Sequence, residues 1–213
     1  MAGRNNRGAV TREVTLETQS VVTGIFQGAQ CSTLKASNMK PSATVVPWLV
    51  LQLNITGAGV GDVSDAFAEM TRSEEVQFRA EGSRAESPAT KTVKLQRAPR
   101  VLVLHLVRFT WSEGEGESVK LDKHVRFGTR FKVKGSWISQ TAPEHRTGGV
   151  DYELFATVTH YGKTPFGGHY TADVRTGPDG EWYRFDDERV GVVREQEVLQ
   201  QQAYLLFYRR LEA

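Results

Sequence analysis

The sequence predicts an α+β protein with a largely antiparallel sheet. Most apolar segments are short and either alternate with period two or run continuously, which is typical of strands. Only two segments have the spacing of a helix. Long excursions rich in Gly, Ser, Glu and Pro separate the apolar segments and indicate loops. Many strands with few helices and no internal repeat favour the α+β class over an alternating α/β architecture.

Four apolar runs are the main strand candidates, at 45–55, 101–106, 152–158 and 203–208. Pro47 interrupts the first run near its start. The second run is almost continuously apolar, as in a strand that is buried on both faces. The third alternates at first and then becomes apolar, and the fourth closes the chain. These runs predict the strands of a central sheet.

The best helix candidate follows the first strand run. Asp62 can cap a helix in which Val63, Ala66, Phe67 and Met70 follow at i, i+3, i+4 and i+7. This spacing places the four apolar side chains on one face, so we expect that face to be buried.

A second, short helix is expected over 195–201. The segments 80–90, 112–118 and 135–149 combine turn-forming and charged residues, so we interpret them as loops.

The composition excludes several classes of protein. The chain has 213 residues and a net charge of +2, which indicates no nucleic acid partner. Apolar runs fall short of the roughly 20 residues of a membrane span, so no membrane partner is expected. A single cysteine, Cys31, excludes an internal disulfide and a cysteine-rich zinc site. Such cysteine usage fits a reducing compartment, the cytoplasm or the nucleus.

The first dozen residues of the chain differ from the rest in composition. Arg4, Arg7 and Arg12 occur there without an acidic residue or an apolar segment. We interpret 1–13 as a disordered, solvated tail, with an organelle-targeting segment as the alternative. The folded domain is then expected over 14–213.

The most informative local pattern is a β-hairpin near the carboxyl end. The segment 176–180, Thr-Gly-Pro-Asp-Gly, is a strong turn signal. A turn centred there sets Val174 opposite Tyr183, Ala172 opposite Phe185 and Asp173 opposite Arg184. One side of the hairpin is then apolar and the other is polar. A register shifted by one residue mixes the two sides, which is penalised where one face is buried.

In this register His169 and Asp186 share the polar side of the hairpin. Asp186 is therefore the first candidate to orient the imidazole, and Asp187, which faces His169 in the shifted register, is the second. A histidine with a carboxylate on its other ring nitrogen is the base-and-orienter half of a nucleophilic triad. The alternative is a plain hairpin with a surface histidine and a solvated acidic end.

Several segments around this pair resemble one known family, the ubiquitin-specific proteases. The matching segments are 99–109 (PRVLVLHLVRF), 120–127 (KLDKHVRF), 167–171 (GGHYT), 182–190 (WYRFDDERV) and 203–210 (AYLLFYRR), with 63–77 resembling the helical region before them. Within the family, 23–26 (TGIF) and 48–55 (WLVLQLNI) resemble the subgroup of ubiquitin carboxyl-terminal hydrolase 10.

The resemblance implies a papain-like peptidase fold with palm, fingers and thumb. It also implies cleavage after ubiquitin's terminal Gly-Gly, so ubiquitin and ubiquitinated proteins are the expected partners. By position, His169 matches the general base and Asp186 the orienting residue. The residues expected to contact ubiquitin by resemblance are Gly167, Gly168, Tyr170, Arg108 and Phe109.

Two departures from the family pattern matter. The paired Cys-x-x-Cys motifs that hold zinc in the fingers of many members are absent, so we predict no metal and no cofactor. The Gly-Asn-Thr-Cys-Tyr-like box that carries the nucleophile is also absent, so the thumb half is predicted to be missing. Cys31 is a poor substitute, because the residues after it are weak helix formers and a reactive thiolate needs a helix start.

Three hypotheses follow for the function. The first is a cysteine-type deubiquitinase whose amino-terminal half lies outside this chain. The second is a non-catalytic module that binds ubiquitin or serves as a scaffold. The third is an unrelated β-rich interaction domain.

Overall fold

A computed structural model of the chain describes residues 10–13, 20–37, 39–79, 85–112, 117–177 and 180–211. Its fifteen strands within these residues, β1 to β15 in chain order, are Val10–Glu13, Gly28–Ala36, Ser42–Trp48, Leu51–Asn54, Glu74–Arg79, Glu86–Arg97, Val101–Val107, Phe109–Ser112, Glu117–Lys120, Arg130–Lys134, Gly149–Thr164, Gly167–Arg175, Trp182–Asp186, Arg189–Val193 and Ala203–Arg210.

The larger sheet forms the body of the molecule. Its strand order is β14-β13-β12-β11-β15-β7-β4, and β10 pairs with β11 beside this path. All neighbours are antiparallel except β4 and β7, which are parallel. The strands predicted over 101–106, 152–158 and 203–208 are confirmed as β7, β11 and β15. The α+β class with a mostly antiparallel sheet is confirmed with them.

A second sheet has the strand order β1-β3-β2-β6-β5. The predicted run 45–55 is split between the sheets, because a bend at Leu49 and Val50 ends β3 and β4 begins in the other sheet. The predicted loop over 80–90 was wrong from Glu86 onward, where β6 begins, while 80–84 lie outside the described residues. Strands β8 and β9 pair with each other in a two-stranded sheet of their own. The ends of the loop predicted over 112–118 belong to these strands, and 113–116 lie outside the described residues.

The predicted tail over 1–13 needs a correction at its end. Val10–Glu13 form β1, which pairs in parallel with β3 at the edge of the second sheet. Backbone hydrogen bonding to β3 places these four residues in the sheet. Residues 1–9 lie outside the described residues.

The helices are short and lie at the ends of strands. They are α1 Val21–Phe26, α2 Val63–Thr71, α3 Pro143–Arg146 and α4 Glu195–Leu199, with a 3-10 turn at Gly135–Trp137. The predicted cap of α2 is confirmed, since the Asp62 side chain accepts a hydrogen bond from the Asp65 backbone. Val63, Ala66 and Phe67 are buried as the spacing predicted, whereas Met70 is only partly buried. In the described residues, no helix is long and apolar enough to span a membrane.

Two further predictions can be compared with these helices. The short helix expected over 195–201 is confirmed as α4, which ends at Leu199. The loop predicted over 135–149 was wrong in part, because it contains the 3-10 turn and α3.

The main hydrophobic core lies on one face of the larger sheet. It is closed by α2, the 3-10 turn and α4, and includes the aromatic stack of Phe67, Phe131 and Trp137. A small second cluster in the other sheet contains Cys31 and three apolar neighbours. The opposite face of the larger sheet lacks an equivalent cover among the described residues, and its apolar side chains are partly exposed.

Candidate functional site

The hairpin that carries the candidate site has the predicted register. In β12 and β13, Ala172 pairs with Phe185, Asp173 with Arg184 and Val174 with Tyr183. The turn residues 178–179 lie outside the described residues. The two sides are packed differently from a simple amphipathic hairpin, because the polar side faces the core.

A bidentate ion pair stabilises the buried polar side. Arg184 Nε and Nη2 donate to the two carboxylate oxygens of Asp173 at 2.7 and 2.9 Å, and Asp173 is only 2% exposed. This hydrogen bonding raises the pKa of Arg184. A buried carboxylate is tolerated when it is paired in this way. The ion pair therefore fixes β12 against β13 next to the candidate site.

His169 and Asp186 form a direct hydrogen bond across the hairpin. The distance from His169 Nε2 to Asp186 Oδ1 is 2.5 Å. Both side chains are 44% exposed, so the pair is open to solvent on one side. A proton on Nε2 is donated to Asp186, which leaves the Nδ1 lone pair free to accept a proton. The juxtaposition predicted from the register is thus confirmed.

Asp187 lies on the other side of the imidazole. Its Oδ2 is 4.0 Å from His169 Nδ1, too far for a hydrogen bond. Asp187 has a φ of 51°, because it occupies the tight turn between β13 and β14. The geometry thus favours Asp186 over Asp187 as the partner of His169.

The three side chains together have a further property. One ligand atom from each of His169, Asp186 and Asp187 lies within 4.8 Å of the others, so the group could hold a metal ion. The Nε2 hydrogen bond to Asp186 is equally the arrangement that orients an imidazole base. The absence of a metal therefore stays a prediction.

Two glycines precede His169 and have different surroundings. A Cβ added at Gly167 would meet no atom within 4 Å. A Cβ added at Gly168 would lie 2.3 Å from His160 Nε2 and 2.4 Å from the Tyr161 carbonyl oxygen. Gly168 is therefore required by packing within this chain, and Gly167 leaves open space before the histidine.

Tyr161 is a neighbour of the pair that sequence reasoning missed. It is the cross-strand partner of His169 in β11, and the two rings are stacked with centroids 6.4 Å apart. Its hydroxyl donates to Gln201 Oε1 at 3.0 Å, which holds the ring in place. The short loop between Gly162 and Gly167 was the signal that could have found this pairing, because it closes a hairpin between β11 and β12.

The residues expected to contact ubiquitin differ in exposure. Tyr170 is 49% exposed and available to a partner. Phe109 is only partly exposed and packs edge-to-face on His160 and Tyr204.

Arg108 was expected to contact ubiquitin, but its side chain is buried inside the protein, so this expectation is corrected. Arg108 is 1% exposed, and it donates to the carbonyls of Ala203, Leu121 and Lys123 at 2.7, 3.3 and 2.6 Å. Burial lowers the pKa of Arg108, although the charge of Asp122 opposes the effect. Its guanidinium is occupied by backbone carbonyls inside the protein, so this arginine has a structural role.

Cys31 is placed as a strand residue, as the weak helix propensity after it predicted. It lies in the middle of β2 in the second sheet, 9% exposed, whereas His169 lies in the larger sheet. Its Sγ is 3.9 Å from Thr33 Oγ1 in the same strand. A strand interior provides no helix N-terminus to stabilise a thiolate.

The pair can therefore supply proton transfer for a nucleophilic reaction, whereas the pair itself contains no nucleophile. An oriented imidazole with a free Nδ1 can take a proton from a thiol and later return it to a leaving group. Both side chains lie on paired strands of the larger sheet, β12 and β13.

Comparisons with known proteins agree with this fold. The sequence model of the family "Ubiquitin carboxyl-terminal hydrolase" matches residues 5–208. Ubiquitin carboxyl-terminal hydrolase 24 of Arabidopsis thaliana is 37% identical over 98% of the chain, and ubiquitin carboxyl-terminal hydrolase 10 of Rattus norvegicus is 36% identical over 99%. These matches cover only 37% and 27% of the two relatives, respectively.

Solved structures of the same family have the same fold. One is the SAGA Ubp8/Sgf11/Sus1/Sgf73 DUB module bound to ubiquitin aldehyde, with a TM-score of 0.79 and 27% identity. The match covers 92% of the present chain and 44% of the chain in the solved structure. A second is a variant of the same DUB module bound to monoubiquitin, with a TM-score of 0.78 and 27% identity. That match covers 92% of the chain and 43% of the solved one.

The fold is the papain-like fold of cysteine peptidases, and it carries a histidine–carboxylate pair at one end of the larger sheet. The chain belongs to the ubiquitin carboxyl-terminal hydrolase family. The resemblance to hydrolase 10 inferred from 23–26 and 48–55 is confirmed by the comparisons.

Proposed function

We propose that this chain is the palm-and-fingers part of a cysteine-type deubiquitinase, with His169 as general base and Asp186 as its orienting residue. The 2.5 Å contact between His169 Nε2 and Asp186 Oδ1 is the observation that supports this role most directly. The family match over nearly the whole chain supports it too, as do the ubiquitin-bound solved relatives. The substrate is ubiquitin joined through its terminal glycine to another protein.

The reaction would be acyl transfer. A thiol gives its proton to His169 Nδ1, and the thiolate attacks the carbonyl carbon of ubiquitin's last glycine. His169 then returns the proton to the leaving lysine amine as the carbon–nitrogen bond breaks. A water molecule, deprotonated by His169, hydrolyses the thioester and restores the thiol. Asp186 stabilises the imidazolium and keeps Nδ1 directed at the thiol.

The nucleophile is proposed to come from an amino-terminal polypeptide, because Cys31 lies in a strand of the other sheet. The relatives are longer than the matched region, so they carry additional chain that could supply it. A polypeptide equivalent to that additional chain would cover the partly exposed apolar face of the larger sheet. The non-catalytic ubiquitin-binding module is the alternative that the experiments below can detect.

Hydrolysis of a fluorogenic ubiquitin amide tests the catalytic proposal. The chain is assayed alone and with the part of the Arabidopsis relative that lies outside the match. We expect hydrolysis only in the mixture, and a loss of about 10²–10⁴-fold with His169→Ala. Asp186→Ala should cost far more activity than Asp187→Ala, and Glu188→Gln, an exposed change in the same turn, serves as the control.

The same assay separates the alternatives. Labelling of the chain alone by ubiquitin with a thiol-reactive carboxyl terminus, abolished by Cys31→Ala, would contradict the assignment of the nucleophile to another polypeptide. Ubiquitin binding without hydrolysis in any mixture would favour the non-catalytic module. Absence of both binding and hydrolysis would remove the deubiquitinase proposal.

A further inference from the structure

His160 is a polar side chain buried directly beside the candidate site. It lies near the end of β11 and is 3% exposed. Three aromatic rings surround the imidazole, those of Tyr170, Phe109 and Tyr204, with centroid distances of 4.6, 5.4 and 6.1 Å. These rings come from β12, β8 and β15, so the imidazole joins four strands at one point.

The surroundings of this imidazole disfavour its charged form. Its Nδ1 has no hydrogen-bond partner among the described residues. Among the described side chains, the titratable groups that face it are Lys120 from β9, Tyr170 from β12 and Tyr204 from β15, and Phe109 packs on it from β8. Lys120 Nζ donates to the His160 carbonyl at 2.7 Å. Burial, and secondarily the Lys120 charge, lower the pKa of His160.

The His160 imidazole also lies against the backbone on both sides of the loop between β11 and β12, at Gly162 and at Gly168. A Cβ added at Gly168 would lie 2.3 Å from His160 Nε2, so the backbone immediately before His169 rests on the ring. A Cβ added at Gly162 would lie 3.0 Å from His160 Cε1. The pairing of β11 and β12 changes register in this region, between Tyr161 and Thr164. Backbone pairing with β11 therefore constrains the start of β12 less than it constrains the middle of this strand.

The geometry points to His160 as a positioning residue. We infer that its neutral ring supports the backbone of Gly168 and thereby directs the His169 imidazole toward Asp186. This inference rests on the proposed function, in which His169 is the base, but its test requires no hydrolysis. Protonation would place an unpaired charge in an aromatic pocket beside Lys120, which is unfavourable. The ring is therefore expected to leave the pocket in acid and release Gly168.

Proton NMR of the full chain tests the inference. A histidine N–H in a short hydrogen bond to a carboxylate gives a resonance far downfield, which His169→Gln identifies by its disappearance. We expect His160→Leu, which keeps apolar volume but removes the flat ring, to abolish or broaden this resonance. His160→Phe, which keeps a flat ring without the nitrogens, should retain it and preserve it to lower pH than in the unmodified chain.

His105→Ala is the matched control, because His105 also packs on Tyr204, at 4.7 Å, from the neighbouring part of the sheet. Thermal unfolding of each variant measures its general destabilisation. The inference is overturned if folded His160→Leu retains the resonance unchanged, if His160→Phe loses it, or if His105→Ala affects it as strongly. Failure of the ubiquitin assays with a normal NMR result would reject the proposed function and leave the positioning role intact.

Discussion

Residues around His169 show how single atoms decide the geometry of the site. Gly167 and Gly168 are adjacent and both precede the histidine, yet only Gly168 is enclosed by other atoms. The ring of His160 and the carbonyl of Tyr161 occupy the space that a methyl group would need. The imidazole of His169, in turn, depends on the strand that begins with these glycines.

Replacement of the two glycines by alanine should therefore have unequal effects. Gly168→Ala should destabilise the chain by about 1–3 kcal/mol, because the new methyl group overlaps backbone and ring atoms. Gly167→Ala adds a methyl group in open space and should change stability by less than about 0.5 kcal/mol. Urea unfolding measures both variants. Equal effects would show that the backbone near His169 adapts, contrary to the packing described.

The burial of His160 predicts how stability depends on pH. Its pKa is lowered in the folded chain, whereas the unfolded chain takes up a proton near 6.5. The unfolded state therefore binds more protons below this pH, and stability falls as the pH decreases from about 6.5 toward the folded-state pKa. His105 has a lowered pKa for the same reason and adds to the effect.

His160→Phe should make the free energy of unfolding less dependent on pH below about 6.5, measured by urea unfolding at several pH values. Glu153, whose pKa is lowered mainly by its hydrogen bond with Arg209, affects stability only in more acidic solution. An unchanged slope in the variant would show that the pKa of His160 is not lowered in the folded chain.

Interactions between elements depend strongly on Arg108, which follows β7. Its guanidinium donates to carbonyls at the start of β15 and in the segment after β9, so it joins three separate parts of the chain. Nη2 is buried without a partner among the described residues. The interaction holds the β8–β9 hairpin near β11, where Lys120 reaches the His160 carbonyl.

Arg108→Ala should therefore destabilise the chain by about 3 kcal/mol or more, since it leaves buried carbonyls without donors. Arg97→Ala, at an exposed arginine that ends β6, should change stability by about 0.5 kcal/mol or less. Thermal unfolding compares the two. A small effect of Arg108→Ala, together with weaker ubiquitin binding, would instead restore the contact role expected from the family resemblance.

At the scale of the whole molecule, the larger sheet has one covered and one open face. Phe185, Val190 and Val192 are 42%, 56% and 64% exposed, and they lie on the same side at one edge of the sheet. Exposed apolar patches of this kind mark interaction surfaces. We propose this face as one part of the binding site of the amino-terminal polypeptide, which must also reach His169 on the other side of the hairpin.

The double variant Val190→Ser and Val192→Ser tests this surface. Each buried valine contributes about 1.5 kcal/mol, so binding of the part of the Arabidopsis relative outside the match should weaken by about two orders of magnitude. The stability of the chain itself should change little. Val119→Ser, at an exposed valine in β9, is the control. Equal binding by both variants, measured by isothermal titration calorimetry, would exclude this face as the interface.

The sequence by itself determined the strands β7, β11 and β15, the capped helix α2 and the register of the hairpin, because these depend on local periodicity and turn chemistry. The pairing of His169 with Asp186 followed from that register. The burial of Asp173, Arg108 and His160 was decided only by tertiary structure, since a polar side chain is buried when distant segments supply its partners or its packing. Which side of the hairpin faces the core was decided in the same way, by the packing of α4 and the segments around it.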